Sequence, residues 1–207
     1  MFAFIAREPI LDKSKSVFAY ELIFRDGKGG AYPEHSPEKA QYIEEQFHPL
    51  GLDDISGEKS SFINFSSETL ISRFPTTLDP ASVVVELADN PFTDTGLLEA
   101  CQHIKQLGYR LAIDDPMMLS ARHDILPLID IVKVDVSRTR FETIEKHIPR
   151  YLDANVRLVA EQVNTPDHFA TCSDLGFDLF QGYFFAQPEA RIVRQLPASK
   201  MNIVDLM

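Results

Sequence analysis

The chain has 207 residues, enough for one substantial core and few for two. Its formal net charge of −11 repels a phosphate backbone and so argues against general DNA or RNA binding, while 44% hydrophobic and 25% charged residues are ordinary for a soluble globular domain. Cys101 and Cys172 make neither a disulfide framework nor a zinc pattern, no apolar run approaches a membrane span, and charge arrives too early, at Arg7 and Glu8, for a signal peptide; the expectation is a cytoplasmic protein without a membrane span.

In chain order, residues 2–10 and 17–25 read as two apolar strands. The loop between them, 11–16, has no room for a helix, so these strands are expected to be antiparallel. A helix is expected over 38–47, then a strand over 62–65 and a helix from Ser66 or Ser67 to about residue 74. A Val-rich strand at 83–87 precedes a helix over 93–107, stopped by Gly108. Strands at 111–113, 131–136, 158–160 and 179–180 alternate with helices over 139–152 and 166–175, the last stopped by Gly176. The remaining tail reads as a short helix or the start of a linker, which divides the chain into a barrel domain, 1–190, and a tail, 191–207. Strands alternating with helices imply parallel pairing. The fold class is α/β, a (β/α)8 TIM-like barrel with its first strand antiparallel to the second; an open doubly wound sheet is the alternative.

Polar residues interrupt the apolar runs near their C-terminal ends, where such a barrel carries its chemistry. They are Glu21, Asn64, Glu86, Asp114 with Asp115, Lys133 with Asp135, Glu161 and Gln181. Strand alternation puts Lys133 and Asp135 on one face and Val132, Val134 and Val136 on the other. A lysine pointing into a barrel needs carboxylate partners. Taken alone the residues allow a structural ion pair, a Schiff-base lysine, or a cluster of acids for hard divalent cations in two-metal phosphoryl chemistry. The six histidines share no spacing.

The ordered set Tyr20-Glu21-Leu22-Ile23-Phe24-Arg25, Phe62-Ile63-Asn64, Val85-Glu86-Leu87, Ile113-Asp114-Asp115, Val132-Lys133-Val134-Asp135, Ala160-Glu161-Gln162 and Gln181-Gly182-Tyr183 resembles EAL domains, the cyclic di-GMP phosphodiesterases and their inactive relatives. The resemblance implies hydrolysis of cyclic di-GMP to the linear dinucleotide with two Mg2+ or Mn2+ ions. It implies Glu21, Asn64, Glu86 and Asp114 as ligands of the first metal, with Asp115 and Asp135 beside the second. Lys133 orients the attacking water and Glu161 is the general base. Arg25, Gln181 and Glu8 face the ligand, Glu8 standing where the family has Gln. Asp89 takes the place of the glutamate that anchors the loop after the paired acids.

That loop reads Pro116-Met117-Met118-Leu119, without the family's glycines. The signature reads Glu21-Leu22-Ile23 rather than Glu-Ala-Leu, and Asn164 replaces a glutamate. These departures keep a second implication open, an inactive cyclic di-GMP receptor or a protein-interaction module. The chain is similar above all to the EAL half of proteins in which an HDOD domain follows in cis. Its shortened segment between Asp135 and Glu161 implies a monomer or a weak dimer.

Overall fold

Runs of Val, Ile and Phe bounded by Asp, Gly or Pro favour strands, because branched and aromatic side chains fit a pleated surface. The structure, a computed structural model, describes residues 3–26, 52–65, 67–72, 78–87, 95–114 and 125–193. Its strands are β1 (Ala3–Asp12), β2 (Val17–Asp26), β3 (Ser60–Phe65), β4 (Val83–Leu87), β5 (Arg110–Asp114), β6 (Ile131–Asp135), β7 (Arg157–Glu161), β8 (Leu179–Phe180) and β9 (Glu189–Val193). Its α-helices are α1 (Leu52–Ser56), α2 (Ser67–Ser72), α3 (Thr95–Gln106), α4 (Phe141–Asp153) and α5 (Pro166–Asp174). The expected helix over 38–47 lies outside the described residues.

β2 to β8 pair in parallel succession, and β1 closes the sheet antiparallel to both β2 and β8. The barrel with one reversed strand is therefore the architecture, and the β8–β1 pairing rules out an open sheet. The short β1–β2 loop sets the reversal. Asp12 Oδ1 accepts from the amides of Ser14 and Ser16 and from the Ser14 hydroxyl, which tightens the chain into a hairpin turn.

Alternation along the strands sorts the barrel interior into two levels. Ile10, Ala19, Phe62, Val84, Ala112, Ile131, Val159 and Leu179, one from each barrel strand, form an apolar cluster in which no member is more than 2% exposed. Burying each Val, Leu, Ile or Phe contributes about 1.5–3 kcal/mol. Two residues further toward the C-terminal end of each parallel strand stand Glu21, Asn64, Glu86, Asp114, Lys133, Glu161 and Gln181. Because β1 runs the other way, its counterpart lies two residues before Ile10, at Glu8. Inward residues stay level in the pairs Ile10–Ala19, Phe62–Val84, Ala112–Ile131 and Val159–Leu179. At the other junctions the register steps by two, so that Phe62 faces Glu21, Ala112 faces Glu86, Val159 faces Lys133 and Leu179 faces Asp12. Four such steps give the shear of eight that closes an eight-stranded barrel.

The outward residues Val132, Val134 and Val136 belong to the core formed with Ile144, Ile148 and Tyr151 of α4, as alternation from Lys133 requires. Gly108 and Gly176, at φ 92° and 99°, end the chain turns after α3 and α5.

Residues 189–193 lie where the expected barrel domain meets the expected tail. They form a strand that crosses residue 190 and pairs antiparallel with Ala3 to Arg7 of β1. β8 is two residues long and meets β1 at Leu11 and Asp12, which leaves the other half of that β1 edge open to a second strand. A five-residue strand following Pro188 is too short to show a period in the sequence.

Candidate functional site

Lys133 is 1% exposed and stands at the mouth of the barrel, above Ile131 on β6. Its Nζ lies 2.7 Å from Glu86 Oε1, 2.9 Å from Glu161 Oε1, 3.2 Å from Glu21 Oε2 and 3.5 Å from Asp114 Oδ1. Four strands thus deliver carboxylates to one ammonium, the partners that a buried lysine requires. Gln181 Nε2 donates to the same Glu21 oxygen at 2.6 Å. Glu8, the register partner of Glu21, is also buried at this level.

The excess of carboxylates over ammonium shapes every proton affinity here. Burial opposes the Lys133 charge, and Glu161, Glu21, Glu86 and Asp114 together outweigh it, holding the ammonium well above the usual lysine range. Burial raises Glu161, and with the charges of Asp114 and Glu21 it overcomes the pull of Lys133; the carboxyl is pushed up to about 7. Glu86 lies well above the ordinary 4.5 through burial and through its acidic neighbours, against the opposing pull of Lys133. Glu8 is raised by burial and by the Glu21 charge, against the pull of the Gln181 amide. Burial alone would raise Glu21, but Lys133 and the Gln181 amide hold it below 4.5.

Among the described residues no three His, Cys, Asp or Glu side chains stand ready around a common cation position. The focal point of these carboxylates holds the Lys133 ammonium instead. The donor set nevertheless fits a hard divalent cation. It consists of oxygen ligands, and Glu86 Oε2, Asp114 Oδ1 and Gln181 Oε1 are buried without a hydrogen-bond partner.

The other expected residues are placed as follows. Asn64 is half-buried beside Glu86 in the β3–β4 register. Asp135 faces Glu161 across β6 and β7. Its carboxylate bonds the turn that follows: Oδ1 accepts from the Ser137 amide and hydroxyl and from the Arg138 amide, and Oδ2 pairs with Arg138 at 3.2 Å. The donors of this turn, rather than Lys133, engage the Asp135 carboxylate. Arg25 is on β2 opposite Phe4, but its side chain, like Asp89 and Asp115, lies outside the described residues.

Sequence reasoning missed how the rim beside Glu161 and Gln181 is built. Gln162 turns the chain at φ 57°, and Val163 N donates to Gln181 O at 2.9 Å. Gly182 then passes so close that a Cβ there would lie 2.4 Å from Val163 N, at φ 145°. Only glycine fits this crossing of two loops. Tyr183 N donates to Asn164 Oδ1, so the asparagine that departs from the family motif ties the same two loops together. The left-handed turn at Gln162 had no sequence signal, whereas Gly182 did.

Comparison with known proteins agrees with this architecture. The family model described as EAL domain matches residues 45–188, more than two thirds of the chain. The chain is 36% identical to the cyclic di-GMP phosphodiesterase CdgJ of Vibrio cholerae serotype O1, covering 97% of this chain and 47% of that protein. It is 29% identical to YuxH of Bacillus subtilis, covering 91% of this chain and 48% of that protein. The chain therefore spans about half the length of the curated relatives it matches. In fold it is similar to Klebsiella pneumoniae BlrP1. The calcium and cyclic di-GMP complex of BlrP1 superimposes with a TM-score of 0.74 at 20% identity, covering 91% of this chain and 56% of that one. A manganese and cyclic di-GMP complex of the same protein gives 0.74 at 22% identity, covering 92% and 57%. On its fold and on the extent of the family match, the chain belongs to the EAL domain family.

Proposed function

We propose that this chain is a metal-dependent phosphodiesterase that hydrolyses cyclic di-GMP to linear pGpG. The observation that carries the reading is the ring of carboxylates from four strands around Lys133, with buried oxygens lacking hydrogen-bond partners, at the C-terminal mouth of an EAL barrel. The name of CdgJ and the cyclic di-GMP complexes of BlrP1 support the substrate.

In this reading Glu21, Asn64, Glu86 and Asp114 hold a first divalent cation, Mg2+ or Mn2+, and Asp115 and Asp135 serve a second. Bound there, such cations supply neutralisation of phosphate charge and a more acidic water. Glu161 takes a proton from the attacking water, a role suited to a carboxyl titrating near 7. Lys133, ion-paired to Glu161 at 2.9 Å, orients the attacking water. The water oxygen bonds to phosphorus, the bond from phosphorus to the 3′ oxygen breaks, and that oxygen takes a proton from solvent. The product is a linear dinucleotide with a 5′ phosphate. Arg25 and Gln181 meet the ligand, Glu8 lies against its base end, and Asp89 anchors the loop after Asp115.

The reading further takes 1–190 as the barrel domain. It places the chain in the cytoplasm, with an HDOD domain in cis in a longer protein and a monomeric or weakly dimeric state. The buried unpaired Cys101 and Cys172 suit a reducing compartment, and no helix among the described residues is long and apolar enough to cross a membrane. A receptor that binds without hydrolysing is the second reading, favoured by the carboxylate of Glu8 buried at the mouth.

The test is incubation of the chain with cyclic di-GMP and Mn2+ or Mg2+, followed by chromatography. Linear pGpG is expected, with at least a ~100-fold loss of rate in Glu21→Ala. Tight binding with the cyclic nucleotide unchanged, at enzyme near substrate concentration, would replace the enzyme by the receptor.

A further inference from the structure

β1 serves two partners along one edge. Leu11 and Asp12 close the barrel on β8, while Ala3 to Arg7 pair with β9. Glu8 sits where one partner gives way to the other. The side chain just before it fastens that junction. Arg7 Nη2 and Nε donate to Glu189 Oε2 of β9 at 2.9 and 3.1 Å, and Nη1 donates to the Ile55 carbonyl of α1 at 2.6 Å. The guanidinium also lies 4.5 Å from the centroid of the Tyr20 ring on β2. One residue therefore joins β9, α1 and β2 at the barrel rim, and the next residue faces the opposite way, into the mouth. There Glu8 opposes Glu21 in register, and Glu21 is bound by Gln181.

We propose that β9 is a strap that sets the geometry of the mouth: Arg7 and Glu189 are positioning residues that hold Glu8 and, through it, the Glu21–Gln181 pair. The proposal rests on the reading of the mouth as a cation-dependent phosphodiester site. β9 is five residues long, has a single neighbour strand among the described residues and is pinned by an ion pair whose Glu189 side chain is 56% exposed. Short edge elements with exposed ion pairs open locally at low free energy. Residues 194–207 follow β9 directly, so a contact that draws them away acts first on β9 and then on β1. The strap gives the fold a route from its C-terminal segment to Glu21 that does not pass through the barrel core.

The test uses the full 207-residue chain with Glu189→Ala, Glu189→Gln and Ile192→Pro, the last removing a backbone donor from β9. Hydrogen exchange is followed across the molecule, and Mn2+ affinity is measured by calorimetry without nucleotide. Glu189→Ala and Ile192→Pro are expected to speed exchange at residues 7–10 and 180–182 and to weaken Mn2+ binding about tenfold, while Glu189→Gln, which keeps an acceptor for Arg7, stays within about threefold. Faster exchange confined to β9, or spread equally through β4 and β5, would overturn the proposal. So would unchanged Mn2+ affinity once β9 is released. If the unaltered chain binds no Mn2+, the cation reading of the mouth fails, and the exchange pattern alone still decides whether β9 holds β1 and the Gln181 segment.

Discussion

The two levels of the barrel interior come from the same strands, two residues apart, and solve opposite problems. The lower level is closed by apolar side chains that need nothing from their neighbours except contact. The upper level crowds Glu21, Glu86, Asp114 and Glu161 around a single ammonium, sets Glu8 opposite Glu21, and leaves oxygens such as Glu86 Oε2 without a hydrogen-bond partner. Apolar packing there would be more stabilising than such an excess of one charge. The difference teaches where this molecule gives up stability: the unbalanced acids are stored at the end that opens to solvent, above a layer that keeps water from the rest of the barrel.

Three experiments break or sharpen that contrast. The largest effect is expected from Lys133→Met. It removes the cation common to four carboxylates, so hydrolysis should fall by at least ~100-fold and the cation-free protein should lose about 3–5 kcal/mol. Rate assays and urea midpoints in EDTA measure both, and near-normal hydrolysis would show that the ammonium is only structural. Phe62→Ala comes next. It opens a cavity in the lower level at a cost of about 3–5 kcal/mol, while Mn2+ affinity of the folded protein stays unchanged. A change in that affinity would mean the two levels are coupled.

The smallest effect is the dependence on pH. Glu161 is raised from 4.5 to about 7, and Glu8 and Glu86 are raised as well. The folded state then keeps protons that the unfolded chain has released, so stability without cations falls as pH rises from about 4.5 to 7. Glu21, held below 4.5, acts with the opposite sign only at more acid pH. Melting in EDTA between pH 5 and 7.5 should show the decline, and added Mn2+ should flatten it because cation ligands must be deprotonated. A melting temperature in EDTA that climbs over this range would contradict the crowding of acids.

Much of the lower level and of the strand order was legible in the sequence. Buried strands such as Val83–Leu87 and Leu179–Phe180 stand out as apolar runs, and the short β1–β2 loop forces the reversal. Lys133 was legible because alternation with three valines leaves it one direction to point. What escaped was set by tertiary pairing. α1 is five residues long, too short for a helical period, and β9 exists because β8 leaves half of an edge of β1 unpaired. The Asp135 carboxylate reads like its neighbours in the sequence, yet the local donors of Ser137 and Arg138 engage it. No pattern of residue types announces which of two nearby partners a carboxylate takes.

The reversal of β1 also orders the folding reaction. The β1–β2 hairpin is local and needs only a short turn to form, on a timescale of about 1–10 μs for hairpins generally. Its other edge must wait for β8, some 170 residues away in sequence, and meets it through Leu11 and Asp12 alone. Closing so long a loop for two register pairs is entropically slow, and the β1–β9 pairs along the same edge span a longer one still. The barrel is therefore expected to assemble as a curved sheet that grows from the hairpin through β7 and seals last where β8 and β9 meet β1, which is also where unfolding begins.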